Sequence, residues 1–309
     1  MLINGKQMAG ETLAKLREEI ASKKLNLKMA AVLACPEGVE GLALKKFVEL
    51  KEKAARSIGV GFQSYFFDEN ISENELIKEV EKISGDSKID GIFIELPLPK
   101  HINIQNILDV ISASKDLDAL SKPLQDKFFS GDFSILPPAV ESVKMILDKY
   151  SIDLRGKKIA VFGYGFLVGK PVAFWLDKQG AQVSVIRSKT ENPADISREA
   201  DIIISGVGKP ELITGGMVKE GAVVIDFGYG RLRGPDFSSL TKGQDRKIED
   251  PRFADSGFAG KTNRDKMVGD VDYDSVAPKS SLITPVPGGM GPILITTVLG
   301  NLVKLKIKN

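Results

Sequence analysis

Lys158-Ile159-Ala160-Val161-Phe162-Gly163-Tyr164-Gly165-Phe166-Leu167-Val168-Gly169-Lys170-Pro171 decides how this chain is read. Lys158 to Gly163 is a short apolar run of strand length, and Pro171 to Gln179 has helical spacing, so a glycine-rich turn joins a strand to a helix. Gly163, Gly165 and Gly169 permit a tight turn and close backbone approach to a pyrophosphate. The helix start adds free N–H groups and a partial positive charge. Pro171 in the first turn is compatible, because that N–H has no intrahelical partner anyway. A glycine turn also suits any ordinary strand–helix junction, so its surroundings matter. The following strand, Gln182 to Ile186, runs into Arg187-Ser188-Lys189-Thr190. An NAD site usually places an acid there for the ribose hydroxyls, and an NADP site a basic residue for the 2′-phosphate. Two bases and no acid favour NADP, with NAD as the alternative.

Further strands are expected at Asp201–Ser205, Val223–Asp226 and Leu282–Thr284, with a last helix over Gly291–Leu305. Upstream, helices at Gln7–Lys24 and Gly41–Ile58 alternate with strands at Lys28–Cys35, Val60–Phe67 and Asp90–Leu96. Pro36-Glu37-Gly38 ends the first of these strands. Ser72-Glu73-Asn74-Glu75 reads as a capping box opening another helix, and Ser142–Tyr150 as a bridging helix. Arg231 to Lys266 is polar and aperiodic and reads as a long loop or insertion. The pattern predicts an α/β protein of two lobes, an N-terminal α/β catalytic lobe and a C-terminal Rossmann lobe. The expected division is residues 1–140, completed by the C-terminal helix 288–309, and residues 141–287.

A chain of 309 residues suits two domains, and 42% hydrophobic residues suffice for a core in each. A net charge of +2 from balanced acids and bases points to neither nucleic acid nor an anionic membrane as partner. The start, Met1 to Gly10, lacks signal-peptide character, and no apolar run reads as a bilayer span. One cysteine, Cys35, fits a reducing compartment and hence the cytoplasm. With His101 as the only histidine, a Ser-His-Asp triad or a His-ligated zinc site has too few ligands. The chemistry falls to Lys, Asp, Glu, Ser, Thr, backbone or a cofactor.

Lys51 is out of place for a surface lysine. At 100° per residue, Leu44, Phe47, Val48, Ala54, Ala55 and Ile58 form one helical stripe, and Lys51 falls near its centre. Such a charge must snorkel to water or meet a partner. Glu95, the lone acid in Ile92-Phe93-Ile94-Glu95-Leu96, is the candidate partner, against the plainer reading of an acid reaching water from a strand end. Asp116 and Asp118 lie two residues apart in the connection after the third strand and are expected to point to opposite sides. One of them can face the cleft, or both can be solvated loop acids. Thr284-Pro285-Val286-Pro287-Gly288-Gly289 either offers backbone amides to a ligand or simply turns the chain.

Leu96-Pro97-Leu98-Pro99-Lys100-His101-Ile102, Val168-Gly169-Lys170-Pro171, Gly221-Ala222-Val223-Val224-Ile225-Asp226, Val268-Gly269-Asp270-Val271-Asp272 and Ile283-Thr284-Pro285-Val286-Pro287-Gly288-Gly289 occur in this order. In these segments the chain resembles the bifunctional methylenetetrahydrofolate dehydrogenase/methenyltetrahydrofolate cyclohydrolase family, over nearly its whole length. The resemblance implies a folate-binding lobe facing a Rossmann lobe across a cleft, and a homodimer made largely through the Rossmann lobes. It implies hydride transfer from a methylene folate to NADP, then water addition to the methenyl carbon. Lys51 matches the family's catalytic lysine and Asp118 its pterin-holding aspartate, with Glu95 beside them. Phe47, Leu96, Pro97, Pro287, Gly288 and Gly289 fall at folate-binding positions. Gly163, Tyr164, Gly165, Gly169, Lys170, Pro171, Arg187, Ser188, Lys189, Gly208 and Thr284 fall at cofactor-binding positions.

The chain departs from the family where chemistry is expected. Phe47 stands for a tyrosine, Glu95 for a glutamine, Leu44 for a serine and Ala119 for a glycine. Pro137-Pro138-Ala139-Val140 replaces Pro-Cys-Thr-Pro, Tyr164-Gly165 replaces Arg-Ser, Arg187 replaces a histidine and Leu294 a threonine. A carboxylate touching Lys51 favours its ammonium form, so water addition is the step most affected. Hydride transfer depends mainly on positioning. Two other readings remain open at this level. One is a family member acting as a binding or regulatory subunit. The other is a dehydrogenase of altered substrate, with shikimate dehydrogenases sharing a two-lobe plan but not their Asn-Val-Thr segment.

Overall fold

A computed structural model of the protein describes residues 1–35, 39–231 and 267–308. The expected turn at 36–38 and the expected insertion from 232 to 266 lie outside the described residues. Arg231, taken as the start of that insertion, instead ends a short strand.

The first sheet has three parallel strands, with β1 (Lys28–Cys35) between β2 (Gly61–Asp68) and β3 (Gly91–Ile94). A central strand covered on both faces needs a continuous apolar run rather than alternation, and Met29 to Cys35 are all buried. Helix α1 (Gly5–Ser22) is capped by the Asn4 side chain, and α2 (Val39–Ser57) connects β1 to β2. The expected capping box is present at α3 (Glu73–Gly85), with Ser72 and Glu75 bonded reciprocally. The strand expected over Asp90–Leu96 is shorter. Glu95 N–H still donates to Val32 O, and the chain then leaves the sheet at the cis Leu96–Pro97 bond.

Helices α4 (Ile104–Asp109) and α5 (Lys122–Phe129) were not expected, because six to eight residues are too few to show a helical period. Helix α6 (Pro138–Lys149) starts four residues before the expected Ser142, with proline in its first turn, where proline is tolerated.

The second sheet is parallel, and its strands are β4 (Lys158–Phe162), β5 (Gln182–Ile186), β6 (Ile202–Ser205), β7 (Val223–Asp226) and β10 (Leu282–Ile283). Their spatial order is β10-β7-β6-β4-β5. The order reverses between β4 and β6, which opens a crevice at the carboxyl ends of the strands. Helix α7 (Gly169–Lys178) follows β4, and the short α8 (Pro193–Arg198) and α9 (Tyr273–Val276) fill connections. Two short strands, β8 (Gly230–Arg231) and β9 (Met267–Val268), pair antiparallel beside the second sheet.

Helix α10 (Met290–Lys308) returns to pack on α1, α2 and α6. Val298, Leu299, Leu302 and Val303 join the core formed by β1 and α2. By length and hydropathy α10 is able to cross a membrane, contrary to the expectation that no segment is, but 56% of its apolar window is buried inside the protein. Its apolar residues serve the core. The amino-terminal residues also tie the lobes together, since Ile3 N–H donates to Ile283 O beside β10.

Candidate active site

Lys51 and Glu95 come together as the helical stripe suggests. On α2, Val48 and Ala55 are buried, as is Ile58 just beyond its end, Leu44, Phe47 and Ala54 are half-buried, and Lys51 sits half-buried among them. Its Nζ donates to Oε2 of Glu95 at 2.6 Å. Glu95 is 7% exposed, placed where β3 ends. Two residues earlier on that strand, and therefore on the same face, Phe93 puts its ring 4.2 Å from Nζ. Phe93 did not figure among the expected site residues. The alternation from Glu95 is the signal that would have found it.

The acidic pair divides although regular strand alternation would put residues two apart on one face, because the chain bends from Leu117 to Ala119 and Asp118 N–H turns back to Asp116. Lys115 to Leu117 bridges onto the free edge of β3, through Ile92 N–H to Lys115 O and Leu117 N–H to Ile92 O. The Asp116 carboxylate turns inward, 1% exposed, and accepts the backbone N–H groups of Ser121 and Asp118 at 2.7 and 3.1 Å. Asp118 takes the other side and is half-buried. Burial pushes its carboxyl up to about 7. The nearby Lys51 charge opposes that rise, and Asp116 and Glu95 add to it. Asn301 on α10 fixes this segment by donating to the carbonyls of Leu117 and Leu136.

The second lobe meets this site through aromatic contacts. Tyr229, just after β7, packs edge-to-face on Phe47, with ring centroids 5.5 Å apart. Tyr229 did not figure among the expected site residues. Phe166 in the glycine-rich turn packs against the apolar cluster around Ile92, Leu98 and Leu120. Leu96 and Pro97 follow Glu95 directly. Pro287 ends the second cis bond, Val286–Pro287, and Gly288 and Gly289 lead into α10. Thr284 is 2% exposed, and its hydroxyl accepts Asp226 N–H at 2.7 Å, so this side chain is engaged with β7.

Asp226 and Asp270 form a second buried acidic pair. Asp270 accepts from Ser205 Oγ and from the Val207 and Lys209 N–H groups, and Asp226 from the Gly228 and Val271 N–H groups. Burial pushes Asp226 up to about 6. These acids tie together the loops at the strand ends. A lone acid closing an apolar strand, as Glu95 also does, was their sequence signal. A cavity of about 290 Å³ opens beside Asp226, Thr284, Pro285 and Val286, and Lys51, Glu95 and Asp118 do not line it.

The glycine-rich turn lies at the switch point, after β4. Gly163 has φ +90° and donates to Ile186 O at 2.8 Å. A Cβ on Gly169 would come within 2.3 Å of Gly163 O, so only glycine lets the helix start close against the turn. At Gly165 and Gly208 a Cβ would meet nothing within 4 Å, so the backbone there is open to approach. Val168 caps α7 without a side-chain hydrogen bond, leaving the first-turn N–H groups free of side-chain acceptors. Pro171 is buried, and Lys170 Nζ lies 4.8 Å from the Phe129 ring centroid. Tyr164, Arg187, Ser188 and Lys189 are exposed around this crevice, and Arg187 stacks over the Tyr164 ring at 4.1 Å. This arrangement fits a dinucleotide phosphate, with open backbone, a helix start that no side chain caps and basic residues at the adjacent strand end.

Comparison with known proteins agrees with this geometry. The family model for the tetrahydrofolate dehydrogenase/cyclohydrolase catalytic domain matches residues 3–118, and that for the NAD(P)-binding domain of the same family matches residues 137–309. The bifunctional protein FolD of Moorella thermoacetica is 36% identical over 306 residues, covering 98% of this chain and 97% of the relative. The FolD of a Hydrogenobaculum species is 34% identical over 305 residues, covering 98% and 97%. The solved structure of FolD methylenetetrahydrofolate dehydrogenase/cyclohydrolase from Campylobacter jejuni superposes with a TM-score of 0.84 at 32% identity, covering 100% of this chain and 99% of the other. The Trypanosoma brucei enzyme, solved with NADP cofactor and inhibitor, gives 0.85 at 28% identity, covering 100% and 97%.

Proposed function

The chain belongs to the tetrahydrofolate dehydrogenase/cyclohydrolase family, and from that premise we propose that it is an NADP-linked methylenetetrahydrofolate dehydrogenase with methenyltetrahydrofolate cyclohydrolase activity in one-carbon folate metabolism. The observation that carries the reading is the Lys51–Glu95 pair, set with Asp118 in the cleft that the Phe47–Tyr229 contact closes from the second lobe. The readings as a binding subunit or as a dehydrogenase of altered substrate have no such observation behind them.

The cofactor would be held by the backbone of Gly163–Gly169 and Gly208, the start of α7, and Arg187, Ser188 and Lys189. When bound, its nicotinamide accepts the hydride that leaves the methylene carbon. The chain's own residues supply positioning and charge. Asp118 hydrogen-bonds the pterin, and Phe47, Leu96, Pro97 and the Pro287–Gly289 turn shape the folate slot. Lys51 and Glu95 handle the proton of the water that adds to the methenyl carbon. Because the Lys51 amine is tied to Glu95 at 2.6 Å, it must leave that ion pair to engage the water, and water addition is the slower step.

The same reading assigns residues 1–140 with 288–309 to the folate-binding unit and 141–287 to the NADP-binding unit. It also expects a cytoplasmic homodimer, which sedimentation would check. The packing of α10 on α1 and α2 supports the assignment of 288–309 to the first unit. The deciding assay supplies methylenetetrahydrofolate with NADP and NAD in parallel, following reduced cofactor and methenyl product separately. Reduction of NADP with build-up of the methenyl product is the expected result. Failure of folded protein to reduce either dinucleotide would remove the dehydrogenase assignment.

A further inference from the structure

Arg187 stands at the carboxyl end of β5, and its guanidinium lies over the ring of Tyr164 with Cζ 4.1 Å from the centroid. The backbone beneath it is fixed by a closed turn. Arg187 N–H donates to Thr190 Oγ1 at 2.8 Å, and Thr190 N–H returns to Arg187 O at 3.0 Å. Among the described residues no carboxylate pairs with this guanidinium. A guanidinium that stacks through its face keeps its in-plane N–H fork free, in the geometry that engages a phosphate bidentately. The ring also limits the rotamers the long side chain must lose on binding.

The cation comes from the strand end and the aromatic platform from the glycine-rich turn.

We propose that Arg187 is the residue that makes this chain prefer a 2′-phosphorylated dinucleotide, and that Tyr164 is the positioning residue that holds its guanidinium ready. The inference rests on the dinucleotide site proposed above. Lys189, exposed two residues further on, adds charge without a fixed geometry.

Calorimetry on the full-length protein tests this without turnover, using adenosine 5′-phosphate and adenosine 2′,5′-bisphosphate as matched probes. Wild type should prefer the bisphosphate. Arg187→Ala should weaken the bisphosphate by about tenfold to 100-fold, the range for a lost charge-assisted contact, and leave the monophosphate unchanged. Tyr164→Ala should lose part of the same preference, roughly three- to tenfold, and Tyr164→Phe should retain it, since the ring and not the hydroxyl does the positioning. The proposal is overturned if Arg187→Ala weakens both probes equally or neither. The role of Tyr164 is overturned if Tyr164→Phe behaves like Tyr164→Ala. Wild type that binds the monophosphate without preferring the bisphosphate sinks only this inference. Wild type that binds neither probe sinks the dinucleotide site as well.

Discussion

The Lys51 ammonium lies 2.6 Å from Oε2 of Glu95 and 4.2 Å from the centroid of the Phe93 ring, so one cation is held from two sides. The carboxylate supplies an opposite charge and the ring a negative face, and both attract the Lys51 cation. The chain has therefore built a fixed ion pair where helix α2 meets the end of β3.

Replacing Glu95 by glutamine removes the countercharge and keeps the shape. Lys51 is then freed from the ion pair to engage the water, and cyclohydrolase turnover should rise by roughly tenfold, a modest share of what a well-placed acid–base group contributes. Dehydrogenase turnover should stay within about threefold, because hydride transfer depends on positioning. Following loss of the methenyl chromophore in Glu95→Gln measures the first effect. A fall of tenfold or more would instead make the Glu95 carboxylate itself the base.

Lys51→Met keeps the apolar stem and deletes the charge. Glu95 is then left buried without its ion-pair partner, which should cost about 2 kcal/mol of stability at pH 8 for a pair that is not fully desolvated. Cyclohydrolase turnover should drop by roughly 10²- to 10⁴-fold. Affinity for adenosine 2′,5′-bisphosphate should be unchanged, since that site is on the other lobe. Urea unfolding, the methenyl assay and calorimetry read the three outcomes.

Asp118 gives the fold a pH dependence of known sign. Its carboxyl is pushed up to about 7, mainly by burial, against an ordinary value near 4. Between those values the native state binds more protons than the unfolded chain, so this contribution is full below about pH 4 and is lost as pH rises through 7. Asp226, pushed up to about 6, adds a slope of the same sign. Asp118→Asn removes the first share. Its stability should exceed wild type by about 2 kcal/mol at pH 8, half the full linkage value because the side chain is partly in solvent, and match it near pH 4. Denaturant curves at the two pH values check this, and an unchanged gap between them would refute the assignment. Folate binding should weaken in the same variant.

Much of this site is legible in the sequence because its anomalies are local. A lysine in an apolar stripe and an acid closing an apolar strand each break a periodicity, and both departures end in one hydrogen bond between Lys51 and Glu95. Strands β1, β3, β4, β6 and β7 were visible for the converse reason, since strands covered on both faces read as continuous apolar runs, while the edge strands β2 and β5 showed through their β-branched and aromatic residues. What was not visible depends on distance along the chain. Tyr229 meets Phe47 only because the lobes face each other. Asp270 serves Ser205 and Val207 across more than sixty residues. Helices α4, α5 and α8 owe their form to tertiary context, being too short for a period to show.

Gly169→Ala tests whether the glycine-rich turn is as tightly closed as its geometry requires. The added methyl would lie 2.3 Å from Gly163 O, 2.7 Å from its carbonyl carbon and 2.9 Å from Tyr164 Cα, all backbone atoms that cannot swing aside as a side chain can. The turn must therefore open, or the start of α7 must retreat. Either change breaks the approach of Lys170 N–H to Gly165 O, now 3.0 Å, and displaces the uncapped helix start proposed to hold the phosphate. We expect stability to fall by about 2 kcal/mol or more, the scale of backbone overpacking. Affinity for adenosine 5′-phosphate and for the 2′,5′-bisphosphate should fall together, by at least about tenfold. That parallel loss is the opposite of the selective loss expected for Arg187→Ala. Gly165→Ala is the control, because a methyl there meets nothing within 4 Å and should leave stability within about 1 kcal/mol. If Gly169→Ala is as stable as Gly165→Ala, the turn is looser than its contacts imply, and the helix start is not what holds the phosphate.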